Sequence, residues 1–184
     1  MRKTATQVKF NAKLLRPAEE PKGTWSFVCL PKDASAKLPT RSMVSVEGTF
    51  NGVEFWTTLL PDGDGGHWMK VAKPLSTKAN VKPGDTVTLE IAPMAKEPEP
   101  EVPQDLKTAI TAAGAKAQET WKAITPKARR DWIFWIVSGK KAETRAKRIS
   151  VALDKLGKGD RRPCCFDRSG MYDNSLSCPV AADD

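Results

Sequence analysis

The chain has 184 residues, enough for one domain or two small ones. Its 30 Lys and Arg residues exceed its 22 Asp and Glu residues, giving a net charge of +8, and the 40% of hydrophobic residues is too high for a disordered chain. The one histidine, His67, excludes His-rich zinc sites, HExxH metallopeptidases and catalysis by a histidine pair. The longest apolar run, Trp132 to Val137, is too short to span a membrane, and the N-terminus lacks the apolar segment of a signal peptide. We therefore expect a soluble cytoplasmic protein without a cofactor or metal.

Residues 1–92 alternate apolar and polar side chains with the period of two that is typical of strands. The dipeptide Asn51-Gly52 lies between two such runs and tolerates the positive φ angles of a tight hairpin turn. Six short strands within this segment, separated by tight turns, predict a small closed or nearly closed β-barrel, because closure removes exposed sheet edges. The predicted strands are Val8–Leu14, Trp25–Cys29, Val44–Phe50, Phe55–Leu60, His67–Ala72 and Thr86–Ala92.

Four prolines interrupt this pattern in residues 93–104, which are predicted to form an extended linker. Apolar side chains then follow helical spacing in residues 105–168, and residues 169–184 form a C-terminal tail. Thr125 followed by Pro126 predicts the start of one helix, and Gly157 predicts the end of the last. The predicted fold class is therefore α+β with segregated elements: a six-stranded β-barrel, a linker and a small helical bundle.

Three segments of the helical half, Pro103–Leu106, Thr125–Trp132 and Glu143–Ile149, resemble the YdeI/OmpD-associated family of bacteria, also called bacteriocin-protection proteins. In the first half, Gly48–Gly52, Gly66–Trp68 and Pro83–Val87 are similar to a small barrel domain of unknown function that is often fused ahead of it. The resemblance covers residues 8–168 and implies the same two-part architecture. It also implies a link to tolerance of bacteriocins and cationic peptides, without an established reaction.

The excess positive charge lies between Lys127 and Arg168, where 13 basic residues accompany 5 acidic ones. Such clustering attracts phosphates, acidic proteins or anionic lipid headgroups. Guanidinium forks that meet near one point bind phosphate or carboxylate well, and an internal ion pair from Glu143 or Asp131 to Arg145 or Arg148 is the alternative. The candidate anion-binding residues are Arg129, Arg130, Lys141, Arg145 and Arg148.

The adjacent thiols of Cys164 and Cys165 lie among arginines, which favour the thiolate, so they are a candidate thiol site. The alternative is a small apolar anchor for the tail. Adjacent cysteines rarely bind one ion, so a metal site is not expected there. We expect His67 to be a packed strand residue and the six tryptophans to serve mainly in core packing.

Together these patterns predict a binding protein rather than an enzyme. Its basic helical face would bind an anionic partner, a protein or a phosphate-bearing ligand, in stress or antimicrobial-peptide tolerance. The first alternative is a nucleic-acid-binding protein, although the sequence contains no helix-turn-helix, RNP or zinc-finger pattern. The second is a thiol-redox protein centred on Cys164 and Cys165.

Overall fold

The computed structural model describes residues 6–19, 24–163 and 177–183. The chain divides into two compact units, which we describe separately. The barrel unit comprises residues up to Lys96 together with the segment from Asp167 onward, and the helical unit comprises Glu97–Phe166. The predicted α+β class is confirmed, since a six-stranded antiparallel half-barrel precedes four helices.

The half-barrel has the strand order β1-β6-β3-β4-β5-β2. Just beyond β1, Leu15 exchanges two backbone hydrogen bonds of 2.8 Å with Phe27 of β2, so the two edge strands meet there. This contact makes the sheet nearly closed, as the strand pattern predicts. The strands are β1 (Val8–Lys13), β2 (Trp25–Cys29), β3 (Val44–Phe50), β4 (Val53–Pro61), β5 (His67–Ala72) and β6 (Thr86–Pro93).

The predicted hairpin between β3 and β4 is confirmed. Asn51 and Gly52 adopt positive φ angles of 48° and 81°, and Phe50 pairs directly with Val53. One face of the sheet is buried at every second residue, for example at Val87, Leu89 and Ile91 of β6. Because the period-two pattern assigns these side chains to one face, it also fixes the register of the strands.

Two short helices in the barrel unit were not expected from the sequence. They are α1 (Lys32–Ala36), which follows β2, and α2 (Lys73–Lys78), which follows β5. Each spans little more than one turn, so neither contains enough residues for a helical repeat of apolar side chains. Six tryptophans were expected mainly in the core, but Trp56 of β4 is 60% exposed.

A tail segment, residues 177–183, belongs to the barrel unit. The Ala18 N–H donates to the carbonyl of Val180, and the Ala182 N–H donates to the carbonyl of Arg16, each at 2.8 Å. These bonds surround an antiparallel bridge between Pro17 and Ala181. The end of the described chain is therefore attached to the segment between β1 and β2.

The helical unit contains α3 (Gln104–Ala112), α4 (Ala115–Ala123), α5 (Pro126–Val137) and α6 (Ala142–Gly157). The Thr125 side chain accepts a hydrogen bond from the Ala128 N–H, which confirms the predicted helix start. Trp132 of α5 is fully buried and its indole N–H donates to the carbonyl of Arg161 at 3.2 Å. Within the described residues, no helix is long and apolar enough to cross a membrane.

Candidate functional site

Arg129 donates hydrogen bonds to backbone carbonyls at the C-terminal end of α4. Its Nε donates to the carbonyl of Trp121 at 3.1 Å, and Nη2 donates to the carbonyl of Ile124 at 2.8 Å. The last carbonyls of a helix have no partner within the helix, so a guanidinium group placed there provides the missing donors. Nη1 also forms an ion pair with Glu99 of the proline-rich segment.

Arg130, the next residue of α5, is only 5% exposed. Its guanidinium forms an ion pair with Glu97 and lies 3.5 Å from a carboxylate oxygen of Asp131. Glu97 and Glu99 both lie in the segment predicted as a linker, and both belong to the helical unit. Part of that segment is thus held to α5 by two ion pairs. The bounds of the predicted linker, residues 93–104, stay a prediction.

Arg145 of α6 makes a two-pronged contact with Asp105 of α3. Nε and Nη2 donate to the two carboxylate oxygens at 2.6 and 2.9 Å. This charge-assisted pair lowers the pKa of the Asp105 carboxyl from its ordinary value and raises the pKa of Arg145. Arg145 therefore forms its ion pair with Asp105. The prediction that Glu143 or Asp131 would pair with Arg145 is wrong.

Arg148 binds the C-terminal end of α5. Its Nη1 donates to the carbonyl of Trp135 and to the Ser138 hydroxyl, and the guanidinium lies 5.4 Å from the centre of the Trp135 ring. The cation supplies donors to a helix end and also stacks on the indole. Here too the observed partners differ from the expected carboxylates Glu143 and Asp131.

Four of the five candidate anion-binding residues are therefore used inside the helical unit: Arg129, Arg130, Arg145 and Arg148. They do not converge on one point, since they serve the end of α4, the proline-rich segment, α3 and the end of α5. Lys141 differs from them, because its side chain is exposed and makes no hydrogen bond or ion pair with the described residues. The role of all five in partner binding stays a prediction.

The candidate thiols Cys164 and Cys165 lie outside the described residues. The described cysteines, Cys29 and Cys178, are both free and half-buried in the barrel unit. The interaction between their thiols lowers the pKa of Cys29, and the same interaction together with burial raises the pKa of Cys178. Sequence reasoning did not find this pair, because the two residues are far apart in the chain and no local spacing connects them.

His67 begins β5 and is fully buried, which confirms that it is a packed strand residue. Its Nε2 lies 2.9 Å from the carbonyl of Ser42, and its Nδ1 lies 2.8 Å from the Ser35 hydroxyl. Because a carbonyl only accepts hydrogen bonds, Nε2 carries the proton and the Ser35 hydroxyl donates to Nδ1. Burial lowers the pKa of His67 more than the Ser42 carbonyl and the Asp62 carboxylate raise it, so the ring is neutral.

Acidification is expected to destabilise the barrel unit through His67. Since its pKa is lower in the folded chain, the unfolded chain binds the extra proton first, and stability falls as the pH drops below the unfolded value of about 6.5. We expect the free energy of unfolding to fall between pH 7.5 and 5.5 by up to about 1.3 kcal/mol, the limit for a ring that stays neutral in the folded chain. Urea unfolding of wild-type and His67→Gln protein measures this, and an equal slope in both would contradict it.

A cleft of about 380 Å³ lies beside this histidine. Ser35, Thr40 and the exposed Arg41 contribute to its wall, as do Lys32 and Asp64, which form an ion pair at 3.1 Å. The neighbouring turn is closed by Asp62, whose carboxylate accepts from the N–H groups of Asp64 and Gly66 at 2.8 Å. Asp62 is therefore occupied as a turn cap. Within the described residues, no group of three or more His, Cys, Asp or Glu side chains is arranged to hold a metal ion.

The geometry defines a class of two-part proteins, in which a half-barrel unit is joined to a helical unit held together by arginines. Residues 10–91 match the family described as a domain of unknown function, DUF1905, and residues 99–159 match the family described as bacteriocin-protection, YdeI or OmpD-associated. The chain thus combines a DUF1905 domain with a YdeI/OmpD-associated domain, as the sequence resemblance predicts. No curated protein matches the sequence.

Proposed function

We propose that this is a binding protein whose helical unit holds an acidic protein partner through exposed lysine and arginine side chains. We further propose that this binding serves the bacteriocin protection named in the family description. The observation that carries the proposal is the distribution of ion pairs. Internal pairs use most carboxylates of the helical unit and leave its excess positive charge on the surface.

Residues 97–163 of the helical unit contain 15 basic and 9 acidic side chains. Six of those nine carboxylates, in this described range, form ion pairs within the unit. Eight basic side chains of this range are exposed and make no hydrogen bond or ion pair with described residues, and three of them, Lys107, Lys116 and Lys122, lie on α3 and α4. The other five lie from α5 onward: Lys127, Lys141, Lys147, Arg161 and Arg162. We call these five the cationic set. Uncompensated charges of one sign attract an oppositely charged surface and speed association with it.

A protein partner is favoured over single-stranded nucleic acid by the aromatic residues of the helical unit. Stacking of bases requires exposed aromatic rings, whereas Trp121 and Trp132 are buried and Trp135 is covered in part by Arg148. In the described part of this unit, Val137 is the exposed large hydrophobic side chain, and it lies four residues before Lys141. An apolar residue beside cations is typical of a surface that contacts another protein.

Neutralising the cationic set is expected to weaken binding of an acidic peptide at least about tenfold, because each exposed charge contributes a few tenths of a kcal/mol. The probe is a fluorescein-labelled peptide of about 20 glutamates, titrated with the full chain at about 50 and 200 mM salt and followed by anisotropy. The five-residue Gln variant is compared with the wild type. Affinity of the wild type should fall steeply with salt.

A matched control removes five exposed lysines of the barrel unit and has the same net charge as the test variant. We expect it to bind nearly as well as the wild type. Equal losses in both variants, or no binding at the lower salt, would contradict the proposal. Tighter binding of a labelled DNA duplex than of the peptide would favour the nucleic-acid alternative instead. The control variant is Lys13→Gln, Lys37→Gln, Lys73→Gln, Lys78→Gln and Lys82→Gln.

A further inference from the structure

The cleft beside His67 lies between two segments of the barrel unit, and each is held by hydrogen bonds. One wall is the segment 32–41, which contains α1, and the other is the turn between β4 and β5. Ser35 anchors the first wall, because its buried hydroxyl is hydrogen-bonded to His67 Nδ1 at 2.8 Å. Asp62 closes the turn that forms the second wall. Both walls are therefore preorganised, which lowers the entropy cost of holding a ligand between them.

Two cationic side chains reach from the first wall to the second, and they differ in their partners. Lys32 pairs with Asp64 of the turn at 3.1 Å. Arg41 reaches the neighbouring Gly65, since a Cβ atom built at that glycine would lie 3.9 Å from Arg41 Nη1. Within the part of the chain that the structure describes, the exposed Arg41 side chain makes no hydrogen bond or ion pair. Its fork of N–H donors is therefore open to a ligand in the cleft.

The remaining lining combines a hydroxyl group with hydrocarbon surface. Thr40 Oγ1 accepts a hydrogen bond from the Ser42 N–H at 3.1 Å, so the Thr40 hydroxyl still has its own proton to donate. The volume of about 380 Å³ is within the range of small-molecule sites, which are mainly apolar and use a few polar groups to fix orientation. The apolar residues of the lining are Ala36, Leu38 and Pro39.

We propose that this cleft binds a small organic molecule that carries one carboxylate on a hydrocarbon body. Lys32 and Asp64 compensate each other, so the charge of Arg41 leaves the lining with a net charge of +1. The planar guanidinium of Arg41 matches a carboxylate, which it binds with two N–H groups, and Thr40 donates a further hydrogen bond. The apolar residues cover the hydrocarbon body. This site lies in the barrel unit and does not depend on the cationic set.

A phosphate monoester fits the same lining less well than a carboxylate. It carries a charge of about −1.5 to −2 at pH 7, which exceeds the net charge of +1 on the lining. The Asp64 carboxylate in the wall also repels the second negative charge. The expected order of affinity is therefore carboxylate above phosphate, and a neutral molecule of the same shape should bind most weakly of the three.

The test uses the full chain and 4-fluorobenzoate as the probe, observed by fluorine NMR at neutral pH and about 150 mM salt. We expect saturable binding that shifts the backbone amides of residues 32–41 and 62–66. Neutral 4-fluorobenzamide should bind at least about fivefold more weakly, and phenyl phosphate should displace the probe less well than benzoate does. Absence of saturable binding, equal binding of the amide, or better displacement by phenyl phosphate would overturn the proposal. Amide shifts confined to the helical unit would also overturn it, without affecting the function proposed for the cationic set.

Three variants test the roles of the charges, and circular dichroism checks that each keeps its fold. Arg41→Gln should weaken binding of 4-fluorobenzoate at least about fivefold. The matched control, Lys37→Gln, removes the same charge from an exposed residue of segment 32–41 that does not line the cleft, so its affinity should stay within about twofold of the wild type. Asp64→Asn should bind the probe more tightly, because it removes the one carboxylate from the lining. Equal losses in Arg41→Gln and Lys37→Gln, or weaker binding by Asp64→Asn, would contradict the assignment.

Discussion

Replacing Gly48 with alanine is expected to destabilise the barrel unit by about 3 kcal/mol or more. Gly48 lies in β3, which pairs with β4 on one side and β6 on the other. A Cβ atom built at this position would lie 1.9 Å from the carbonyl oxygen of Glu90 and 2.9 Å from the Cα atom of Ile91. Both are backbone atoms of β6, so the clash cannot be relieved without separating two central strands.

Urea unfolding of the full chain, with hydrogen exchange of the β3 and β6 amides as a local readout, measures this effect. The matched control is Gly157→Ala at the end of α6, where nothing lies within 4 Å of the added Cβ. Alanine is the better helix former, so this control should equal the wild type or gain slightly in stability. A Gly48→Ala protein as stable as that control would show that β6 moves away at little cost.

Removing the charge of Arg130 is expected to cost the helical unit about 3 kcal/mol. In an Arg130→Met variant the hydrocarbon stem is kept, but Glu97 and Asp131 lose a cation in a region where the Arg130 side chain is only 6% exposed. Removing a cation from beside carboxylates at a largely buried site costs more than the lost attraction alone, because water cannot replace it fully. Chemical denaturation followed by far-UV circular dichroism measures the change.

The control for this prediction is Lys127→Met, which removes a cation from the same helix at an exposed position. Its stability should stay within about 0.5 kcal/mol of the wild type. A double variant, Arg130→Met with Glu97→Gln, should recover part of the loss, because one of the two carboxylates that lost the Arg130 cation is then replaced by a neutral amide. If Arg130→Met matches Lys127→Met, the pair with Glu97 contributes nothing to stability.

The strands and helices were predictable because they follow local periods. Alternation identifies the buried face of β6, Asn51-Gly52 marks the hairpin between β3 and β4, and Thr125-Pro126 marks the start of α5. The helices α1 and α2 were missed because one turn contains too few residues to show a period. Family resemblance added the two-part organisation, which the matches to residues 10–91 and 99–159 bear out.

The candidate sites were less predictable, since their partners are distant in the chain. Asp105 is 40 residues from Arg145, and Glu97 is 33 residues from Arg130. A cluster of cations in sequence therefore indicates net charge but not which cations are already paired. The contacts of Arg129 and Arg148 with helix ends could not be predicted from the residue types either, because the acceptors are backbone carbonyls, which every residue has.

The barrel unit is discontinuous in the chain, since residues 177–183 pair with the segment around Pro17 only after the helical unit has been passed. During synthesis, the six strands leave the ribosome before this last segment exists. At about 5–20 residues per second, the intervening stretch delays it by on the order of ten seconds. The Arg16 carbonyl and the Ala18 N–H therefore lack their hydrogen-bond partners, Ala182 and Val180, while the helices are being synthesised. Of the described parts of the barrel unit, the tail segment is therefore the last to pair.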